Sequence, residues 1–215
     1  MKKSAPDALV RRLLEVAGTS YADAAGITLK DKPMPLFQLL TLCMLASKPI
    51  SADIAVAAAR ELFAAGLRTP RAVREAERRT MIDAFGRAGY ARYDESSATR
   101  LTEIADALHQ TYDDDLRGLA RAATENVMAA SRLLQQFNGI GETGADIFLR
   151  EVQDVWTWTR PYFDRRVLDT AKVLGLPAGA DKLSALAPRS NATLAAALVR
   201  VSLDDGLRDK VLQSS

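Results

Sequence analysis

The residues best suited to chemistry lie between Phe137 and Arg166. Phe137-Asn138-Gly139-Ile140-Gly141-Glu142-Thr143-Gly144-Ala145-Asp146 is followed by a lone acid, Asp164, in Phe163-Asp164-Arg165-Arg166. An apolar helical spacing reaches the glycines through Ala130, Leu133 and Leu134, and a second one leaves through Ile147, Phe148 and Val152. Two helices joined by Gly-Ile-Gly make a tight turn in which backbone N–H groups and a helix N-terminus point at one spot. Such a spot attracts a phosphate. Asp164 has two uses. A fixed carboxylate stabilises a developing cation or activates a water, and it also suits the start of the helix that opens at Arg165. Arg165 and Arg166 either grip phosphates or pair with Asp169 on the same helix.

Other chemistries are excluded by what the chain lacks. Its one cysteine, Cys43, and one histidine, His109, allow no intrachain disulfide and no cysteine-ligated zinc or iron–sulfur site. No metal and no cofactor are expected. Cys43 lies in the apolar run Leu36 to Leu45 and reads as a small buried hydrophobe. His109 reads as a surface residue near a helix end. Asp113-Asp114-Asp115 resembles a metal motif at first sight, but reads as a turn and helix cap.

A net charge of +2 does not by itself indicate a nucleic-acid partner, so a DNA reading needs local basic patches. Candidates are Arg68 to Arg79, Arg87 with Arg92, and Arg160 with Arg165 and Arg166. The first group reads as solvated helix faces, interleaved with Glu75 and Glu77. No apolar run approaches the roughly 20 residues of a membrane span. The basic start Met1-Lys2-Lys3 has no apolar segment behind it, so a cytoplasmic protein with no membrane partner is expected.

The elements that must position these residues all read as helices. Apolar spacing predicts one capped by Asp7 and ending at Gly18, then a helix from Leu36 to Ala46 that is apolar nearly all round and central. Ser51 caps the next, which stops near Gly66; short helices follow at Pro70 to Ala76 and Arg79 to Phe85. A long amphipathic helix spans Tyr93 to Thr111, and another runs from Asn126 into the Gly-Ile-Gly turn. Helices from Arg165 to Leu174, Asp181 to Leu186 and Ala192 to about Leu207 complete an all-α chain.

From Pro35 to Pro177 the order of parts resembles the helix-hairpin-helix DNA glycosylases of the endonuclease III superfamily. The matching stretches are Pro35 to Leu40, Gly89 to Tyr93, Phe137 to Leu149 and Phe163 to Val167. The specific combination is the hairpin with an aspartate about twenty residues later. The resemblance implies two helical lobes with a cleft between them. One lobe would be residues 26–152, ending in the hairpin at 131–152, and the other residues 1–25 with 153–215. It implies a monomer that binds double-stranded DNA carrying a damaged or abasic site, at the nucleoid in a prokaryote. A damaged or mispaired base would be flipped out and its N-glycosidic bond hydrolysed.

Carried over residue by residue, Asp164 would be catalytic. Gly139, Ile140, Gly141, Thr143 and Gly144 would hold DNA, with Arg165 and Arg166 beside them. Lys48 matches the place where family members insert a polar side chain into the gap left by the flipped base. Trp156, Trp158 and Tyr162 lie near Asp164 in sequence and would stack on the base. The chain departs from the family at three points. Thr143 stands where bifunctional members carry the lysine that forms a Schiff base, so a monofunctional enzyme is expected, without lyase activity. The four C-terminal cysteines of the family's iron–sulfur cluster are missing, and Glu142 puts a negative charge beside the phosphate spot. The alternative reading is a non-catalytic protein that binds abasic or distorted DNA.

Overall fold

The computed structural model describes residues 5–213, so the basic start before Ala5 lies outside the described residues. Every regular element among them is helical, and no strand occurs. None of these helices is long and apolar enough to cross a membrane. Contacts group the chain into two compact units. One is Ala22–Phe148; the other joins the described residues up to Tyr21 to those from Leu149 onward.

Helix α1 (Ala5–Ala17) belongs to the second unit; in the first, α2 (Tyr21–Ala24) leads in and the centre is α3 (Pro33–Ala46). Every residue from Pro35 to Leu45 in α3 is buried. Its polar Thr41 donates to the carbonyl of Phe37 at 3.0 Å, so no buried hydroxyl is left unmade. The helix starts three residues before the expected Leu36, because Pro33 and Pro35 sit inside its first turn. There the N–H groups have no helical partner, and proline costs nothing by lacking one.

Around α3 pack α4 (Ala52–Ala64) and the long α7 (Asp94–Tyr112), with α5 (Pro70–Glu75) and α6 (Arg78–Arg87) against α7. Ser51 caps α4 by accepting from the Asp53 N–H at 3.3 Å. Gly66 follows its end at φ +88°, a left-handed conformation that side chains rarely adopt. The acidic triplet is a turn. Asp113 and Asp114 take φ of 52° and 63°, and Asp115 accepts from the Arg117 N–H at 3.0 Å to open α8 (Arg117–Ala122). Asn126 caps α9 (Val127–Leu134) through the Ala129 N–H at 2.9 Å, and α10 (Glu142–Val152) follows.

The second unit is built on α13 (Asn191–Leu203), which is buried along most of its length. Against it pack α1, α11 (Arg165–Val173) and α14 (Asp205–Gln213); α12 (Ala180–Ser184) lies between α11 and α13 in sequence. Two expectations are corrected here. Asp7 lies within the first turn of α1 rather than ahead of it. The single helix expected from Ala192 to Leu207 is two helices, broken at Asp204, whose backbone is extended at φ −133° and ψ 103°. The Asp204 carboxylate accepts from the Leu207 N–H at 2.9 Å and caps the second helix.

Candidate nucleic-acid interface and the Asp164 site

The turn between α9 and α10 is held from below by its own apolar residues. Phe137 and Ile140 are buried, and the Phe137 ring lies 6.4 Å from that of Tyr112. The Ile140 N–H donates to the Phe137 carbonyl at 3.0 Å, and the exposed Asn138 amide donates to Glu103 at 2.6 Å. Gly139 takes φ +94°, and a Cβ there would stand 2.8 Å from Cδ of Arg100 and 3.3 Å from Cγ of Met44. Gly144 is needed for a different reason: a Cβ would come within 2.7 Å of the Ser47 hydroxyl at the end of α3. The half-buried Lys48 is the next residue along, so the turn and Lys48 belong to one corner of this unit.

Gly141 is under neither constraint. It is exposed, its φ is not in the left-handed region, and a Cβ would meet nothing within 4 Å. Its carbonyl accepts from the Ala145 N–H at 3.0 Å, which makes it the cap residue of α10. Serine, aspartate or asparagine would serve that cap better. Open space above a bare backbone at a helix start permits close approach by another group. Glu142 and Thr143 beside it are exposed.

In the second unit, Asp164 caps α11: its Oδ1 accepts from the Val167 N–H at 3.0 Å. Its Oδ2 accepts from the guanidinium of Arg150, on the last turn of α10. The side chains are 6% exposed for Arg150 and 7% for Asp164, so this is a buried ion pair. Gln153, fully buried, braces the segment that delivers Asp164. Its amide donates to the carbonyls of Arg150 and Tyr162 at 3.0 and 3.1 Å and accepts from the Tyr162 N–H at 3.0 Å. Arg160 donates to the Gln153 carbonyl at 2.7 Å and to Asp154 at 2.5 Å. The carboxylate is therefore fixed in place with its charge countered.

The aromatic residues differ among themselves. Trp156 is buried at 3% exposure and stacks on the half-buried Trp158, with ring centroids 5.6 Å apart. Tyr162 is half-buried. Arg165 is exposed and lies 3.6 Å from Asp169, and Arg166 is exposed too. Most arginines of the earlier patch have carboxylate partners: Arg71 with Glu75, Arg74 with Asp114, Arg78 with Glu95 and Arg79 with Asp83. Arg87 pairs with Glu61, while Arg92 lies over the Tyr93 ring at 5.4 Å.

Arg150 and Gln153 were not singled out from the sequence. Burial marks them only in the structure, where Arg150, Glu151 and Gln153 are all buried polar residues in one short run. A buried Glu151 that accepts from the Tyr21 N–H at 3.2 Å belongs to the same polar interior. Spacing alone does not reveal that Arg150 meets an acid fourteen residues later. No family model, no curated protein and no solved structure matches the chain.

Proposed function

We propose that this chain is a DNA-repair protein of the helix-hairpin-helix type, binding duplex DNA at a damaged or abasic site through the turn at 137–143. In this reading a DNA phosphate sits over Gly141, at the start of α10. The observation that carries it is the bare start of α10 at Gly141, which is exposed and has nothing within 4 Å of where a Cβ would stand. A phosphate drawn to the free N–H groups of that turn needs the missing Cβ. The preceding residues are anchored by Phe137, Ile140 and Asn138, so little ordering cost falls on binding.

Base release is assigned to Asp164 and a water. Water attacks C1′ of the sugar, the N-glycosidic bond breaks with its electron pair passing to the base, and the water proton passes through the carboxylate to that base, which leaves neutral. The anion offsets the positive charge that grows on the sugar. Thr143 has no amine, so no Schiff base forms and an abasic site is the product. The buried pairing with Arg150 favours a second reading, a damage reader without chemistry, because a neutralised carboxylate stabilises a cation poorly.

Gly141→Asp tests the DNA reading without harming the fold. Aspartate improves the cap of α10 while placing a carboxylate where the phosphate would sit. Affinity for a duplex with a tetrahydrofuran abasic analogue should fall about tenfold or more, at unchanged or higher Tm. Unchanged affinity would remove the turn from the interface.

A further inference from the structure

The first unit carries an open cavity of about 620 Å³ that neither the turn nor Asp164 uses. Its apolar floor is Pro33, Met34 and Pro35 of α3 with Pro70 of α5. Met34 is 44% exposed, a long apolar side chain left in water beside three prolines. Around that floor stand Lys30, Lys32 and Arg71. Lys30 and Lys32 are exposed and form no ion pair among the described residues, while Arg71 pairs with the exposed Glu75 and is also attracted by Asp114. A second hollow of about 310 Å³ shares Thr28, Met34 and Pro35 with the first and adds Arg60 and Arg68 to the rim.

One acid lines the cavity, Asp114, and the Arg74 guanidinium counters its charge. Arg74 lies 3.2 Å and His109 Nδ1 3.3 Å from the same carboxylate oxygen. The site therefore combines an apolar floor with an excess of cations, and its size falls in the range of about 300–1,000 Å³ typical of small-ligand sites. An apolar body alone would leave the lysines without a partner. A compact polyanion would leave Met34 and the prolines uncovered.

We propose that this cavity binds a small amphipathic anion, an alkyl chain ending in a carboxylate or phosphate, with the chain on Met34 and the headgroup at Lys30 and Lys32. The proposal stands independently of DNA binding. Its test is calorimetric titration of the full chain with dodecanoate, dodecyl phosphate and dodecanol, each below its aggregation concentration. Two surface variants accompany the wild type, Lys30→Glu/Lys32→Glu and Met34→Asp.

At least one of the two anions should bind, about tenfold or more tighter than dodecanol. Whichever binds tighter identifies the headgroup. The lysine variant should lose about tenfold toward that anion and leave dodecanol unchanged, whereas Met34→Asp should weaken both. The substituted side chains are exposed, so the fold is preserved. Absence of binding by both anions, equal binding of alcohol and anion, or anion affinity unmoved by either variant would overturn the proposal.

Discussion

At Asp164 the competition is between holding the fold and doing chemistry. The residue caps α11 and pairs with Arg150 in surroundings that leave 7% of its side chain exposed. Removing one partner of such a pair leaves an uncompensated charge out of water. Arg150→Met should therefore destabilise the protein by about 3 kcal/mol in urea unfolding, and Arg150→Met/Asp164→Asn should regain part of that. A loss below about 0.5 kcal/mol would show that the pair does not hold Asp164. Asp164→Asn keeps the cap, since asparagine caps as well as aspartate, but strips the negative charge. It also leaves the Arg150 charge unpaired, so Arg150→Met/Asp164→Asn and Tm are measured alongside to separate a catalytic anion from a structural one.

At the scale of elements, the turn at Gly139 and the turn at Asp113 each carry a prediction. Gly139→Ala would strain a backbone at φ +94° and press on Arg100 and Met44, so a loss of about 1–2 kcal/mol is expected by thermal or urea unfolding. At the start of α8, the Arg117 guanidinium hydrogen-bonded to Asp115 holds that carboxyl below the usual carboxylate range. A lowered folded-state value means the stabilisation is present above the unfolded value of about 4 and is lost as pH falls through the folded one. Asp115→Asn should cost about 1 kcal/mol at pH 7 and progressively less below pH 4, read from urea curves across that range. A cost independent of pH would contradict the ionic account.

Most helices were legible because their ends are written in residues of strong local preference. Ser51, Asn126 and Gly66 mark boundaries by hydrogen bonding or backbone freedom that needs no distant partner. The break at Asp204 was missed because Leu203, Asp204 and Asp205 continue an acceptable helical pattern; the capping bond to Leu207 decides it. The cavity on α3 was missed for a related reason. Pro33, Met34 and Pro35 stand ahead of the expected helix start at Leu36, and only the place of Pro70 and Lys30 in the fold turns them into a floor and rim.

For the whole molecule, charge sets how the proposed DNA binding must respond to salt. With a net charge of +2 and Arg71, Arg78, Arg79 and Arg87 held in ion pairs, the expected basic patches offer few cations to displace counterions. Lys48, Arg165 and Arg166 at about 0.9 each give an expected slope of about −3 for log affinity against log salt. Lys48→Ala should lower its magnitude by about 1. A slope near zero would exclude phosphate contacts. The central claim is tested most directly by single-turnover base release from duplexes carrying a panel of lesions, followed by alkali to reveal abasic sites. The account predicts release by the wild type that becomes strand cleavage only after alkali, and none by a folded Asp164→Asn. No release from any lesion, or release that survives Asp164→Asn, would contradict it.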